Sequence, residues 1–140
     1  MIVVIRITGK INLKTEIKET LIRLRLGKKY TCTIINEKDK IKVGMLKKVK
    51  DYVAYGELNK PVLLRLIEKR GKREDKKQIK DIEKIAEALE KGEKFESLGL
   101  KGYFRLHPPR GGLKSSRRHF PQGVLGNNKQ EINKLIERML

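Results

Sequence analysis

Three short apolar runs, separated by two stretches with helical periodicity, occupy the first 56 residues. The runs cover 1–7, 30–36 and 51–56, and their β-branched and aromatic content is typical of strands. The first helical stripe is formed by Leu13, Ile17, Leu21 and Leu24. The second helical stretch is IKVGMLKKVK at 41–50. The order β-α-β-α-β, with helices of about ten residues, predicts an α+β, ferredoxin-like core with both helices on one face of a small sheet.

Residues with special backbone preferences place the ends of these elements. Asn12 is expected to cap the first helix and Gly27 to end it. Gly44 interrupts the second helical pattern, at a cost of ~1 kcal/mol relative to alanine. Either RNA or a neighbouring strand approaches closely there, or Gly44 lies in the first turn, where the cost is small.

Residues 57–140 are predicted to form an extension packed on the 1–56 core. A helix begins after Asn59, with Pro61 in its first turn, and runs to Gly71. After a charged run, a second helix carries apolar residues on one stripe and ends near Gly92. Its acidic residues make it the face least suited to RNA. A C-terminal helix follows, with Asn127 or Asn128 as its cap.

The stretch LHPPRGGLKSSRRHFPQGVLG at 106–126 has a different character, because no Asp or Glu occurs between Ser97 and Gln130. Proline fixes the backbone of its HPPRGG sequence, and two glycines then permit a sharp turn. Such a loop is not expected to build a core. It is suited to placing guanidinium groups and bare backbone amides along a phosphate chain. The basic loop is therefore defined as 101–126.

The formal net charge of +18 indicates a polyanionic partner, which favours nucleic acid. A membrane is the competing anion, but no segment approaches the ~20 apolar residues of a membrane-spanning helix. A single cysteine, Cys32, excludes an internal disulfide and is interpreted as a small buried apolar side chain. No metal-ligand set or cofactor motif is found. The N-terminal run lacks the pattern of a signal peptide, so a cytoplasmic protein is expected.

Two other classes of function fit parts of the sequence. His107 and His119, with Ser115 and Ser116 between them, suggest general acid-base cleavage of RNA. No carboxylate lies within the loop to orient either imidazole, which argues against an enzyme. A freestanding nucleic-acid-binding protein fits the charge, but no helix-turn-helix or other DNA-reading motif is present.

Four stretches resemble one family along nearly the whole chain. They are VGMLKKVKDYVAYGE at 43–57, LRLIEKRG at 64–71, FRLHPPRGG at 104–112 and GVLGNNKQEINKLIERM at 123–139. The chain resembles the long archaeal form of the L-thirty family of large-subunit ribosomal proteins, whose eukaryotic counterpart is called L-seven. The resemblance implies a structural constituent of the large ribosomal subunit that stabilises ribosomal RNA during assembly and translation. It also implies neighbouring ribosomal proteins as partners, with no catalysis, cofactor, membrane or small-molecule substrate.

The predicted RNA-binding residues come mostly from the basic loop. Arginine offers planar forks that match phosphates, lysine acts as a point charge, and histidine can stack on an unpaired base. The loop candidates are Lys101, Arg105, His107, Arg110, Gly111, Gly112, Lys114, Arg117, Arg118 and His119. The core candidates are Lys47 and Lys48.

Overall fold

The computed structural model describes residues 1–9, 11, 13–73, 75, 79–113, 115 and 117–140. The elements of the predicted core are β1 (Ile2–Arg6), α1 (Thr15–Arg23), β2 (Thr31–Ile35), α2 (Lys40–Val49) and β3 (Val53–Glu57). They are followed by α3 (Lys60–Arg70), α4 (Ile82–Glu90), β4 (Phe104–Arg105), β5 (Gly126–Asn127) and α5 (Ile132–Met139). The predicted α+β class and β-α-β-α-β order are confirmed.

The strands form one mixed sheet in the order β4-β2-β1-β3-β5. The central strand, β1, is antiparallel to both neighbours, so Ile2 lies opposite Ile35 of β2 and Glu57 of β3. The outermost strands are two residues long: β4 pairs antiparallel with β2, and β5 pairs parallel with β3. The sequence analysis did not predict either of these edge strands.

Helices α1 and α2 cover one face of the sheet, as predicted. Val4, Ile35 and Val53 point to this face and form a cluster with the apolar residues of the two helices. The helical members are Leu21, Leu24, Leu46 and Val49. The Lys48 ammonium lies 3.9 Å from the Glu16 carboxylate, so the end of α2 meets the start of α1 and the helices run antiparallel.

Helices α3, α4 and α5 cover the opposite face. Val3, Ile5 and Ile7 alternate with the residues of the first face, as the pleat of a strand requires, and are fully buried. The predicted stripe of α5 is buried against them: Ile132, Leu135, Ile136 and Met139. Helix α3 ends at Arg70, before Gly71, and α4 ends at Glu90, before Gly92, which confirms both predicted ends.

The structure corrects the prediction for Gly27 and rules out two of the three explanations offered for Gly44. Helix α1 ends at Arg23, and the left-handed backbone needed to leave it falls at Arg25 (φ 62°), so Gly27 does not end the helix. Gly44 is the fifth residue of α2, beyond its first turn, and a Cβ atom there would meet nothing within 4 Å. No strand therefore requires this glycine. Asn12, the expected cap of α1, lies outside the described residues.

Two buried groups stabilise the strands. The Arg6 guanidinium donates hydrogen bonds to the carbonyl oxygens of Leu26 (2.8 Å), Thr8 (3.0 Å) and Gly9 (3.3 Å), and its burial lowers the pKa of Arg6. Cys32 is fully buried beside Phe104, and desolvation raises the pKa of its thiol well above the ordinary range. The interpretation of Cys32 as a buried apolar side chain is confirmed.

Candidate nucleic-acid interface

The basic loop connects the two edges of the sheet. It includes β4, which pairs with β2 at one edge, and it ends at β5, which pairs with β3 at the other. The residues between the two strands therefore pass from one side of the sheet to the other with both ends fixed by backbone pairing. This arrangement sets where the loop's cations can lie.

The HPPRGG turn is held by the C-terminal end of α5. The backbone N–H of His107 donates to the Met139 carbonyl (2.9 Å), and that of Arg110 donates to the Arg138 carbonyl (3.0 Å). Gly111 (φ 81°) and Gly112 (φ 75°) adopt the left-handed backbone that the sequence predicts for a sharp turn.

The Arg138 side chain clamps the same turn. Its Nη1 atom donates to the carbonyl oxygens of Gly112 (2.8 Å) and Arg110 (3.3 Å). Because these bonds use main-chain oxygens, the Arg110 side chain remains exposed. The turn is thus fixed while its own guanidinium faces solvent.

The second half of the loop folds back on itself. The N–H groups of Val124 and Leu125 donate to the carbonyls of Ser115 (3.0 Å) and Arg118 (3.2 Å). Gly123 is required here, because a Cβ atom would collide with the Arg118 carbonyl and lie 2.8 Å from the Ser115 oxygen. Val124 and Leu125 are buried, so the expectation that this stretch contributes nothing to the core is wrong at its C-terminal end. The reason is that both residues sit where β5 is added beside β3.

His119 joins the loop to the face of the protein that is covered by α1 and α2. Its Nε2 atom lies 3.0 Å from Oδ1 of Asp51, which follows α2. Its ring packs against the backbone of Gly126, where an added Cβ would be 2.8 Å from Nδ1. The structure therefore brings the second half of the loop to the end of α2 that carries Lys47 and Lys48.

Most of the predicted RNA-binding residues are exposed. The exposed set is Lys47, Lys48, Arg105, His107, Arg110, Gly111, Gly112, Arg117, Arg118 and His119. Lys101 is half-buried, and its backbone N–H donates to the Lys72 carbonyl (2.9 Å). Lys114 lies outside the described residues. The Arg105 guanidinium lies 5.8 Å from the centre of the Tyr103 ring.

Two further acidic side chains, on neighbouring elements, already have cationic partners. Glu96 pairs with Arg25, and Glu137 pairs with Arg65 (2.8 Å). Within the described part of the chain, the side chains of Arg110, Arg117 and Arg118 have no carboxylate partner. These three guanidinium groups are therefore available to an external anion.

The two histidines are held by different elements. His107 is placed by the end of α5 through its backbone, and His119 by Asp51 through its ring. Among the described residues, the only carboxylate that contacts either imidazole is that of Asp51, which lies outside the loop. The sequence analysis did not anticipate this partner. In the same part of the chain, no group of three or more His, Cys, Asp or Glu residues is arranged to hold a metal ion. Every helix there is also too short or too polar to cross a lipid bilayer.

Sequence reasoning missed two residues that shape this surface. Arg138 lies off the apolar stripe of α5, so the pattern indicates only that it is exposed. Asp51 falls at the start of a predicted strand, where its contact with a residue far along the chain leaves no local signal. Only the folded arrangement of β3, α5 and the loop identifies them.

Comparison with known proteins gives a consistent result along the chain. The family model described as Ribosomal protein L30p/L7e matches residues 2–53. The large ribosomal subunit protein uL30 of Archaeoglobus fulgidus is 40% identical over 152 residues, covering 99% of each chain. Those of Korarchaeum cryptofilum and Desulfurococcus amylolyticus are each 41% identical, covering 100% and 98% of this chain and 95% and 96% of their own. The similarity thus includes the basic loop as well as the first three strands.

Proposed function

The chain belongs to the ribosomal protein L30p/L7e family, and on this premise we propose that it binds ribosomal RNA through the basic loop and the adjoining end of α2. It is a structural constituent of the large ribosomal subunit and not an enzyme, as the sequence predicts. Its binding stabilises the fold of the RNA during assembly and translation. Neighbouring ribosomal proteins are its other partners.

One observation carries the RNA-binding proposal: an acid-free stretch presents exposed arginines from a backbone that is fixed at both ends. Arg110 lies on the turn clamped by Arg138, and Arg117 and Arg118 lie just before the His119 contact to α2. Guanidinium forks match phosphate oxygens bidentately, and fixed positions reduce the ordering cost on binding. The arrangement is suited to reading the shape of folded RNA through phosphates and 2′-hydroxyls.

The remaining candidates take separable roles. His107 is exposed and available to stack on an unpaired base, while Gly111 and Gly112 allow close approach of the RNA backbone. The His119 ring is engaged with Asp51, so we assign it to positioning the loop. Helix α4 is assigned no RNA contact, because it exposes Glu83, Glu87 and Glu90. In this proposal 1–56 is the ferredoxin-like core, and 57–140 is the extension that holds the loop.

Replacing Arg110, Arg117 and Arg118 together by alanine tests the proposal. We expect affinity for large-subunit RNA to fall about tenfold or more at moderate salt, because three phosphate contacts are lost. The slope of log K against log salt should become shallower by about 2 to 3, since each neutralised phosphate contributes roughly 0.7 to 0.9. Both quantities can be measured by filter binding over a salt series.

The matched control replaces Lys80, Lys84 and Lys91, three exposed lysines around α4, by alanine. It removes the same charge from outside the proposed RNA-binding surface and should keep the wild-type affinity and slope. Equal losses in both variants would show that only net charge matters. A large drop in melting temperature of the arginine variant with unchanged affinity would show that these arginines are structural.

A freestanding nucleic-acid-binding protein is distinguished by sedimentation. The protein should migrate with large subunits in a sucrose gradient after a moderate salt wash, and the arginine variant should be depleted from that fraction. Recovery of the wild-type protein at the top of the gradient would contradict its assignment to the assembled subunit.

A further inference from the structure

The outward face of α2 has a glycine at its centre. On a helix surface the nearest neighbours of a residue are those three and four positions away. For Gly44 these are Lys40, Ile41, Lys47 and Lys48, and all of them are exposed. Ile41 is 77% exposed, which is unusual for a large apolar side chain.

Nothing within the protein explains Gly44. Its backbone is helical, and a Cβ atom there would have open space around it. By contrast, Gly56 and Gly123 would each force a Cβ atom into backbone atoms of a packed neighbour. Glycine lowers the stability of an exposed helix relative to alanine, and no contact within the protein offsets this loss at Gly44. The reason for Gly44 must then lie in something that approaches from outside.

The charges of the same face define what can approach. Residues 40–50 contain no Asp or Glu. The two flanking acids are engaged: Asp39 accepts a hydrogen bond from the Lys42 N–H (3.2 Å), and Asp51 contacts His119. A protein partner would fit poorly, because lysine is depleted at the centres of protein interfaces. A polyanion fits both the three lysines and the missing side chain.

We propose that the outward face of α2 receives the sugar–phosphate backbone of RNA, with Gly44 at the point of closest approach. Lys40, Lys47 and Lys48 surround the contact as point charges, and the absence of a Cβ lets the backbone of the RNA approach the helix. Ile41 supplies apolar contact to the sugars. The inference rests on the RNA binding proposed above and extends it from the end of α2 along the outward face of the helix.

The position of the loop supports a continuous path for the RNA. Asp51 lies two residues beyond the end of α2, and its contact with His119 brings the segment that contains Arg117 and Arg118 to this end of the helix. RNA bound to these arginines can therefore continue along α2 toward Lys40, passing the Glu16 carboxylate, which is already paired with Lys48.

The test replaces Gly44 by alanine and by glutamine, two good helix formers of increasing size. Both variants should melt about 2 to 5 °C higher than the wild type, because helix propensity improves. Affinity for large-subunit RNA should nevertheless fall, by about threefold for Gly44→Ala and about tenfold or more for Gly44→Gln, since the added atoms occupy the space of closest approach. Melting is followed by circular dichroism and affinity by filter binding.

The matched control is Gly9→Gln, at another exposed glycine that has open space and no positive φ. It should leave the RNA affinity unchanged. Wild-type affinity of Gly44→Gln, alongside a weakened Arg110, Arg117 and Arg118 variant, would overturn this inference while leaving the proposed function intact.

Two further outcomes also decide against the inference. If Gly44→Gln binds isolated RNA normally but fails to enter large subunits, a protein covers this face. If both Gly44 variants melt lower than the wild type, the glycine serves the protein's own fold. Increased stability with reduced RNA affinity is the combination that supports the proposal.

Discussion

Helix α2 and the basic loop both present cations, but the protein holds them in position in different ways. Helix α2 is placed by its own apolar stripe, in which Leu46 and Val49 pack on the sheet. The loop is placed by distant parts of the chain, such as Arg138, which lies 26 residues beyond the Gly112 carbonyl that it binds. A helix can therefore present charge through a local pattern, whereas an irregular segment needs long-range contacts to do the same.

This difference predicts how the two surfaces respond to substitution. Gly44 on the outward face of α2 has open space around it, so substitutions there should alter binding without reducing stability. Changes at the anchors of the loop should reduce stability first and binding as a consequence. The three substitutions below test this contrast, in decreasing order of expected effect.

Gly123→Ala should give the largest effect. The added methyl group has to displace the Arg118 and Ser115 carbonyls, so we expect a loss of about 1 to 3 kcal/mol in the free energy of unfolding. Urea titration gives this quantity directly. Gly44→Ala is the matched control, because the same change on α2 should raise stability. A neutral effect of Gly123→Ala would show that the second half of the loop adjusts freely.

Arg138→Met should have an intermediate effect. It removes two hydrogen bonds to main-chain oxygens at an exposed site, a local loss of about 1 kcal/mol. Amide exchange of Arg110 and Gly112 should become about fivefold faster, while exchange in α2 stays unchanged. Lys134→Met removes a charge from the same helix and serves as the control. Unchanged exchange at Arg110 would mean that the backbone bonds to α5 suffice.

Asp51→Asn should have the smallest effect on stability, at most about 0.5 kcal/mol, because both partners of the contact are more than half exposed. Its effect on RNA affinity should be larger than this value suggests, about twofold to threefold, since it loosens the alignment of the loop with α2. Glu131→Gln, which removes the carboxylate of an exposed pair with Lys134, is the control. Equal affinities of Asp51→Asn and the wild type would show that RNA does not use the alignment.

The parts of the fold that depend on local periodicity could be predicted from the sequence. The three core strands, the shared face of the first two helices, and the buried stripe of α5 all follow from apolar spacing. Strands β4 and β5 could not be predicted, because a two-residue strand has no periodicity to detect. The end of α1 was missed for a related reason: Arg25, not a glycine, adopts the left-handed backbone there.

The features of the candidate interface also separate into those that the sequence predicts and those that it does not. Its charge, its glycine turn and its lack of acids are local properties that can be read from the sequence. The clamp by Arg138 and the contact between Asp51 and His119 depend on how distant elements pack. The predicted cap of α5 is wrong for this reason: the helix begins at Ile132 after Glu131, without a side-chain cap. Asn127 accepts the Lys129 N–H (2.9 Å) in the turn before the helix, and Asn128 is buried and donates to the carbonyls of Val124 and Gly126.

The placement of β4 and β5 at the two borders of the sheet affects how copies of the chain meet one another. A long free border strand is a template for joining sheets between molecules, and such joining is a common route to precipitation. Here each border ends in a strand of two residues, and the basic loop that connects them adds mutual repulsion. The loop that we propose for holding RNA thus also protects the protein from self-association before it reaches its binding partner.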